Sequence, residues 1–121
     1  MNHFKLVLPE FMNEQGVLFG GYLLQWIDEF AYITASLDLP GNRFVTVSLD
    51  NVVFRKPIKL GYILCFEVVR VRLGTTSVSY DIKVFNSKEP APHKELLFET
   101  HIVFVNINAD GKKEPIKVAI D

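Results

Sequence analysis

The run Gly20-Gly21-Tyr22-Leu23-Leu24-Gln25-Trp26-Ile27-Asp28-Glu29-Phe30-Ala31-Tyr32-Ile33-Thr34-Ala35-Ser36-Leu37 decides the architecture. Its glycine pair opens a helix over about Gly21 to Leu37, and Asp38-Leu39-Pro40-Gly41-Asn42 stops it, with Pro and Gly just beyond the last turn. At ~100° per residue, Gln25, Asp28, Glu29, Tyr32 and Ser36 share one polar stripe. Leu23, Leu24, Trp26, Ile27, Phe30, Ala31, Ile33, Thr34, Ala35 and Leu37 fill the remaining arc. So wide an apolar arc needs cover from several sides, and a flat sheet gives only one.

The flanking chain supplies that cover as strands. A short strand, His3 to Leu8, precedes a loop at Glu10 to Phe19. After the helix, Phe44 to Lys56 alternates until its apolar parity switches around Asn51, which predicts a bulge. Tyr62 to Leu73 and Thr75 to Phe85 form a hairpin around Gly74, and Glu95 to Asn108 is the last strand. A loop with Pro90 and Pro92 joins the last two strands, and the tail beyond Lys112, with Ile116, Val118 and Ile120, reads as loose. The order β-α-β-β-β-β with short turns gives antiparallel neighbours. The chain is therefore expected to be an α+β domain, a long antiparallel sheet curled around one central helix.

Composition narrows the rest. The 121 residues make one domain, 1–121, and 49% of them are apolar, including ten Phe and four Tyr. That is more apolar surface than a lone domain of this size readily hides. A net charge of −1 gives no global footprint for nucleic acid or an anionic membrane. No apolar stretch reaches the ~18 residues of a membrane helix, and the apolar N-terminal run stops at Pro9. The single Cys65 excludes an intrachain disulfide and a multi-cysteine metal site, and fits a reducing, cytoplasmic setting.

The familiar catalytic motifs, a P-loop, GxGxxG, HExxH or GxSxG, are missing. His3 is terminal, His93 lies in a Pro-flanked loop, and His101 sits mid-strand, where a lone histidine is usually structural. Cys65 reads as a buried, inert thiol.

Three features carry chemistry. Gly20 and Gly21 leave the first-turn amides of the helix unobstructed, suited to an oxyanion or phosphate; equally, they let the chain turn and pack closely. Asp28 borders Ala31 and Ala35, small neighbours that point to a pocket-facing acid, against the plainer reading of a solvated stripe shared with Gln25 and the rival acid Glu29. In the hairpin Arg70-Val71-Arg72-Leu73-Gly74-Thr75-Thr76-Ser77, Arg70 and Arg72 share one parity beside hydroxyls, an anion cradle or an ordinary solvated turn; Arg55, Lys56 and Lys59 form a second basic cluster.

Together these segments resemble the hotdog-fold acyl-CoA thioesterases, in particular the short bacterial acyl-CoA hydrolases and their relatives in two-domain eukaryotic enzymes. Asn13-x-x-Gly16-x-x-Phe19-Gly20-Gly21 followed by Asp28 is similar to the family's signature and helix acid. Val45-Thr46-Val47-Ser48-Leu49-Asp50-Asn51-Val52-Val53-Phe54-Arg55-Lys56-Pro57 resembles its Val-Asp-x-x-x-Phe-x-x-Pro strand, and Gly74-Thr75-Thr76-Ser77 its Gly-x-(Thr/Ser)-Ser hairpin. The match runs from about Leu6 to Pro115.

The resemblance implies a single hotdog domain that pairs into a homodimer, often gathered into tetramers or hexamers, with the active site at the pairing interface. Asp28 of one subunit would be general base or nucleophile, and Asn13 of the other would hold the water or acyl group. Amides near Phe19, Gly20 and Gly21 would polarise the thioester carbonyl, while Arg55, Lys56, Arg72, Gly74, Thr75, Thr76 and Ser77 would meet the CoA phosphates. No cofactor or metal is implied, since CoA is part of the substrate, and neither nucleic acid nor membrane is an expected partner. Relatives often carry an Asp two residues before the motif Asn; Phe11 stands there in this chain. A hotdog hydratase or dehydratase needs a His paired with a carboxylate, and no His lies between Asn13 and Asp28. An acyl-CoA-binding hotdog protein without turnover is the other alternative.

Overall fold

A computed structural model of the chain describes residues 1–90 and 94–118. Pro92, His93 and Ile120, and the side chain of Asn51, lie outside the described residues. The elements are β1 (Asn2–Leu6), a 3-10 turn (Pro9–Phe11), α1 (Gly20–Asp38), β2 (Phe44–Phe54), β3 (Ile63–Leu73), β4 (Ser77–Asn86) and β5 (Leu96–Asn106). The strands form one sheet in the order β1-β3-β4-β5-β2, every neighbouring pair antiparallel. The sheet curls around α1, as the apolar girdle of that helix requires. Among the described residues no helix is long and apolar enough to cross a membrane.

Strand alternation sorts the two faces. Leu64, Phe66 and Val68 of β3, Val78, Tyr80, Ile82 and Val84 of β4, and Phe98, Ile102 and Phe104 of β5 are buried on the concave face. Against them α1 buries Leu23, Trp26, Ile27, Ala31, Thr34 and Ala35. That is a narrower stripe than the apolar arc implies: Leu37 stays 65% exposed, and Leu24 and Ile33 are half-buried. The chain covers its own helix incompletely.

The parity switch in β2 appears as a register shift between Asp50 and Val53, where the sequence predicts a bulge. Three further irregularities have no such signal, one of them between Val84 and Phe85 where β4 meets β5. Another falls at Val47 in β2. The third falls at Val71 in β3, and it separates Arg70, opposite Tyr80, from Arg72, opposite Ser79. The two arginines therefore point to opposite faces of the sheet, not to one side as their spacing predicts. The tail is not loose either. It turns back after β5 through a bridge between Ile107 and Lys113 and reaches the β3–β4 turn, where Ile116 N–H donates to Thr75 O at 2.8 Å.

Candidate functional site at the opening of the central helix

The loop before α1 is built around Asn13. Its side-chain Oδ1 accepts from the N–H groups of Gln15 at 2.9 Å and Val17 at 3.2 Å, while its own N–H donates to Val17 O at 2.8 Å. Gly16, at φ +77°, makes the tight return that these bonds need. With Oδ1 committed to the loop, Asn13 has its Nδ2 amide left to offer, and that group has no acceptor among the described residues. Asn13 is thereby preset as a donor.

Phe19 precedes α1 without capping it by a side chain. A Cβ added at Gly20 would lie 3.2 Å from the Phe54 ring, and one at Gly21 would lie 3.1 Å from the Phe19 ring. Close packing is thus one demonstrated reason for the glycine pair, while the uncapped first-turn amides remain a positive helix end. Beside them a pocket of about 210 Å³ is lined by Val17, Leu18, Leu23, Phe54, Ile58 and the cations Arg55 and Lys56.

Asp28 stands two turns further on, exposed on the side of α1 that faces β2. Its Oδ1 accepts a 2.6 Å hydrogen bond from the Thr46 hydroxyl. Thr46 lies outside the sequence expectations. The signal that would have found it is its parity, which aims a hydroxyl from β2 at the helix. Ala31 and Ala35 do not open a pocket beside Asp28 as their size predicts: both are fully buried and let the sheet approach the helix. Glu29, the rival acid, is exposed and makes no hydrogen bond among the described residues.

The subunit does not join Asn13 to Asp28: one is bonded within its own loop, the other to β2. The anion-binding candidates are split as well. Ser77 stands level with Val105 and hence with Val45 at the start of β2, whereas Arg55 and Lys56 follow Phe54 at its far end. The two groups occupy opposite ends of the sheet. The cations also have carboxylate partners: Arg55 Nη2 is 3.0 Å from Glu99, and Lys56 Nζ is 2.8 Å from Glu95, whose hydrogen bond holds the Lys56 pKa above its ordinary value. Arg70 is spent on Asp38 at 3.2 Å, a carboxylate that also accepts from the buried Tyr80 hydroxyl at 2.9 Å.

His101 lies on the outer face of the sheet, its Nδ1 2.7 Å from Asp81, away from the helix opening. Cys65 is buried, and burial pushes its thiol pKa up, the inert state that its place in a strand predicts. Among the described residues no group of His, Cys, Asp and Glu is arranged to hold a metal. The aromatic residues Trp26, Phe30 and Phe54 do not meet in one place: Trp26 packs on Phe11, Phe30 on Phe66, and Phe54 on Phe98.

Residues 15–93 match the family model of the thioesterase superfamily. Over 116 residues the chain is 32% identical to the acyl-CoA thioester hydrolase YciA of Salmonella typhimurium, covering 93% of this chain and 86% of that protein. An acyl-CoA hydrolase of Staphylococcus aureus, solved with butyryl-CoA, CoA and CoA disulfide, superposes with a TM-score of 0.86 at 30% identity, covering 100% of this chain and 75% of its own. A hexameric hotdog-fold thioesterase of Campylobacter jejuni superposes with a TM-score of 0.82 at 30% identity, over 95% of this chain and 88% of its own.

Proposed function

The chain belongs to the thioesterase superfamily, and from that premise we propose that it hydrolyses acyl-CoA to a free carboxylic acid and CoA at a site shared between two subunits. The observation that carries the reading is the Thr46–Asp28 bond of 2.6 Å. It holds a solvent-facing carboxylate on a part of the helix that its own subunit leaves open. Thr46 occupies Oδ1, so Oδ2 is the atom presented to water.

In this reading Asp28 takes a proton from water as the oxygen attacks the thioester carbonyl, and the CoA thiolate leaves as the C–S bond breaks. The Nδ2 amide of Asn13 donates to the water or the acyl oxygen. The N–H groups at Gly20 and Gly21, with the helix dipole behind them, receive the negative charge that develops on the carbonyl. Direct attack by Asp28, through an acyl anhydride, uses the same placement.

Pairing of two copies is supported by the edge of the sheet. Among the described residues β2 has no neighbour on its outer side; it spans 11 residues and carries Val45, Val47, Val52 and Val53 exposed. A long apolar edge of this kind calls for a partner strand. A symmetric pair would also bring the Gly74–Ser77 turn of one copy and the Arg55–Lys56 corner of the other into play for one CoA. The ion pairs of Arg55 and Lys56 are exposed and screened by solvent, so a phosphate can displace the carboxylates. Residues 1–121 act as one hotdog domain, in the cytoplasm, with no cofactor beyond the CoA of the substrate.

The test is subunit complementation. Asp28→Ala and Asn13→Ala should each abolish thiol release from acyl-CoA while the protein still folds and assembles. An equal mixture refolded together should recover about a quarter of wild-type turnover, because half the dimers then hold one intact site. Full turnover in Asp28→Ala defeats the mechanism; no recovery on mixing defeats the shared site.

A further inference from the structure

We propose that residues 112–118 form a strap that holds the β3–β4 turn in the conformation that receives CoA, with Asn42 and Asn106 as its positioning residues. The proposal rests on the reading of that turn as part of the CoA site, and adds what presets it.

Asn106 is 1% exposed, and its polar groups are all engaged. Its N–H donates to Thr76 O at 2.9 Å. Its Oδ1 accepts from Arg43 N–H at 2.7 Å, and its Nδ2 donates to Glu114 O at 3.3 Å and Pro115 O at 3.1 Å. One buried amide thus ties the turn, the helix-to-β2 connection and the tail together. Asn42 grips the tail further out: it accepts from Lys117 N–H at 2.7 Å and donates to Lys117 O at 2.9 Å. Between the two clamps, Ile116 N–H donates to Thr75 O at 2.8 Å, and the Ile116 side chain packs on the core.

The consequence is one of polarity. Gly74 N–H closes the turn on Ser77 O at 2.8 Å, while the carbonyls of Thr75 and Thr76 are tied back by Ile116 and Asn106. A turn with its acceptors held inward leaves its N–H groups and hydroxyls for an anion. Without the strap, the Thr75 carbonyl is released at a turn that contains a glycine, and binding a phosphate must first order it.

The experiment compares Asn42→Ala and Ile116→Pro, which removes the N–H that reaches Thr75, with Ile116→Ala, which keeps it. Each is assayed on one acyl group carried either by CoA or by N-acetylcysteamine, which lacks the phosphates. The expected result for Asn42→Ala and Ile116→Pro is a KM for acyl-CoA raised about five- to tenfold, the loss of one such hydrogen bond, with kcat within about twofold. Hydrolysis of the N-acetylcysteamine thioester stays unchanged, and Ile116→Ala shows the smaller effect on KM. A parallel fall on both substrates would mean that the strap only stabilises the fold, and would overturn the proposal. Binding of CoA itself, followed by calorimetry, separates it from the catalytic reading. Equal CoA affinity in wild type and Asn42→Ala overturns the strap alone. A wild type that binds no CoA removes the turn's assigned role together with it, whatever Asp28 does.

Discussion

On the flank of α1 that faces β1 and β3, aromatic rings pack against one another; on the flank that faces β2, one hydroxyl–carboxylate bond spans to an exposed strand. Phe30 meets Phe66 with centroids 4.9 Å apart, Phe11 meets Trp26 at 4.9 Å, and His3 stacks on Phe30 at 4.8 Å. Across the helix, Asp28 holds Thr46 at 2.6 Å beside an edge strand whose valines face solvent. The first flank is finished within the subunit. The second is open and unfinished, which is where the proposed reaction, with its water and its second subunit, would take place. Substitutions on the two flanks should therefore read out in different quantities, stability on one and turnover on the other.

The largest effect is expected on the packed flank. Phe66 is fully buried, and Phe66→Ala should cost about 3–5 kcal/mol by lost transfer energy and the cavity left behind. Urea unfolding measures that loss. At temperatures where the variant is folded, kcat should remain near wild type, and a collapse of kcat in folded protein would break the division between the flanks.

On the open flank, Thr46→Val keeps the shape and removes the hydroxyl. The carboxylate of Asp28 then loses the group that orients it, and kcat should fall about tenfold or more, with stability changed by less than about 1 kcal/mol because the bond is exposed. Steady-state kinetics beside a urea titration checks both halves. A stability loss without a turnover loss would make Thr46 a structural residue and leave Asp28 unsupported.

How far all this is legible in the chain depends on the range of the interactions. The central helix, the succession of elements along the chain and the Asn13-to-Asp28 segment are local patterns of spacing, and the structure contains them close to where spacing puts them. The short turn after β2 suggests β3 as its neighbour, but β2 pairs with β5 at the edge of the sheet, a long-range pairing that no local spacing announces. The bulges at Val47 and Val71 are silent because a β-branched residue at the extra position leaves the apolar pattern apparently unbroken; the cost was the shared direction assigned to Arg70 and Arg72. Thr46 gives no signal because a threonine in a strand is ordinary until the helix opposite is known to present an acid. The fastened tail is silent because its clamp joins Asn42 to Lys117, 75 residues apart, and nothing in a charged terminal segment announces such a partner. The ion pairs of Arg55 with Glu99 and Lys56 with Glu95 likewise join separate strands, so those cations looked free.

The smallest expected effect concerns a histidine ring on the packed flank. His3 Nε2 lies 2.8 Å from Thr34 Oγ1, and that hydroxyl donates to Phe30 O at 2.9 Å, so the ring nitrogen acts as donor and the neutral tautomer carries its proton there. Burial, and next the positive chain terminus, lower the His3 pKa from its ordinary 6.5. Below pH 6.5 the unfolded chain takes up a proton at this ring, whereas the folded chain resists it, so the unfolded state binds more protons and stability falls as pH falls. The contribution is complete above the unfolded pKa and is lost on the way down to the folded one. His3→Gln keeps a donor for Thr34 and removes the titration. Its stability should therefore decline less than that of the wild type between about pH 7 and pH 5, measured by urea unfolding across that window. Parallel curves for the two proteins would show that the packed flank is indifferent to charge at this position, and that stacking on Phe30 alone holds the ring.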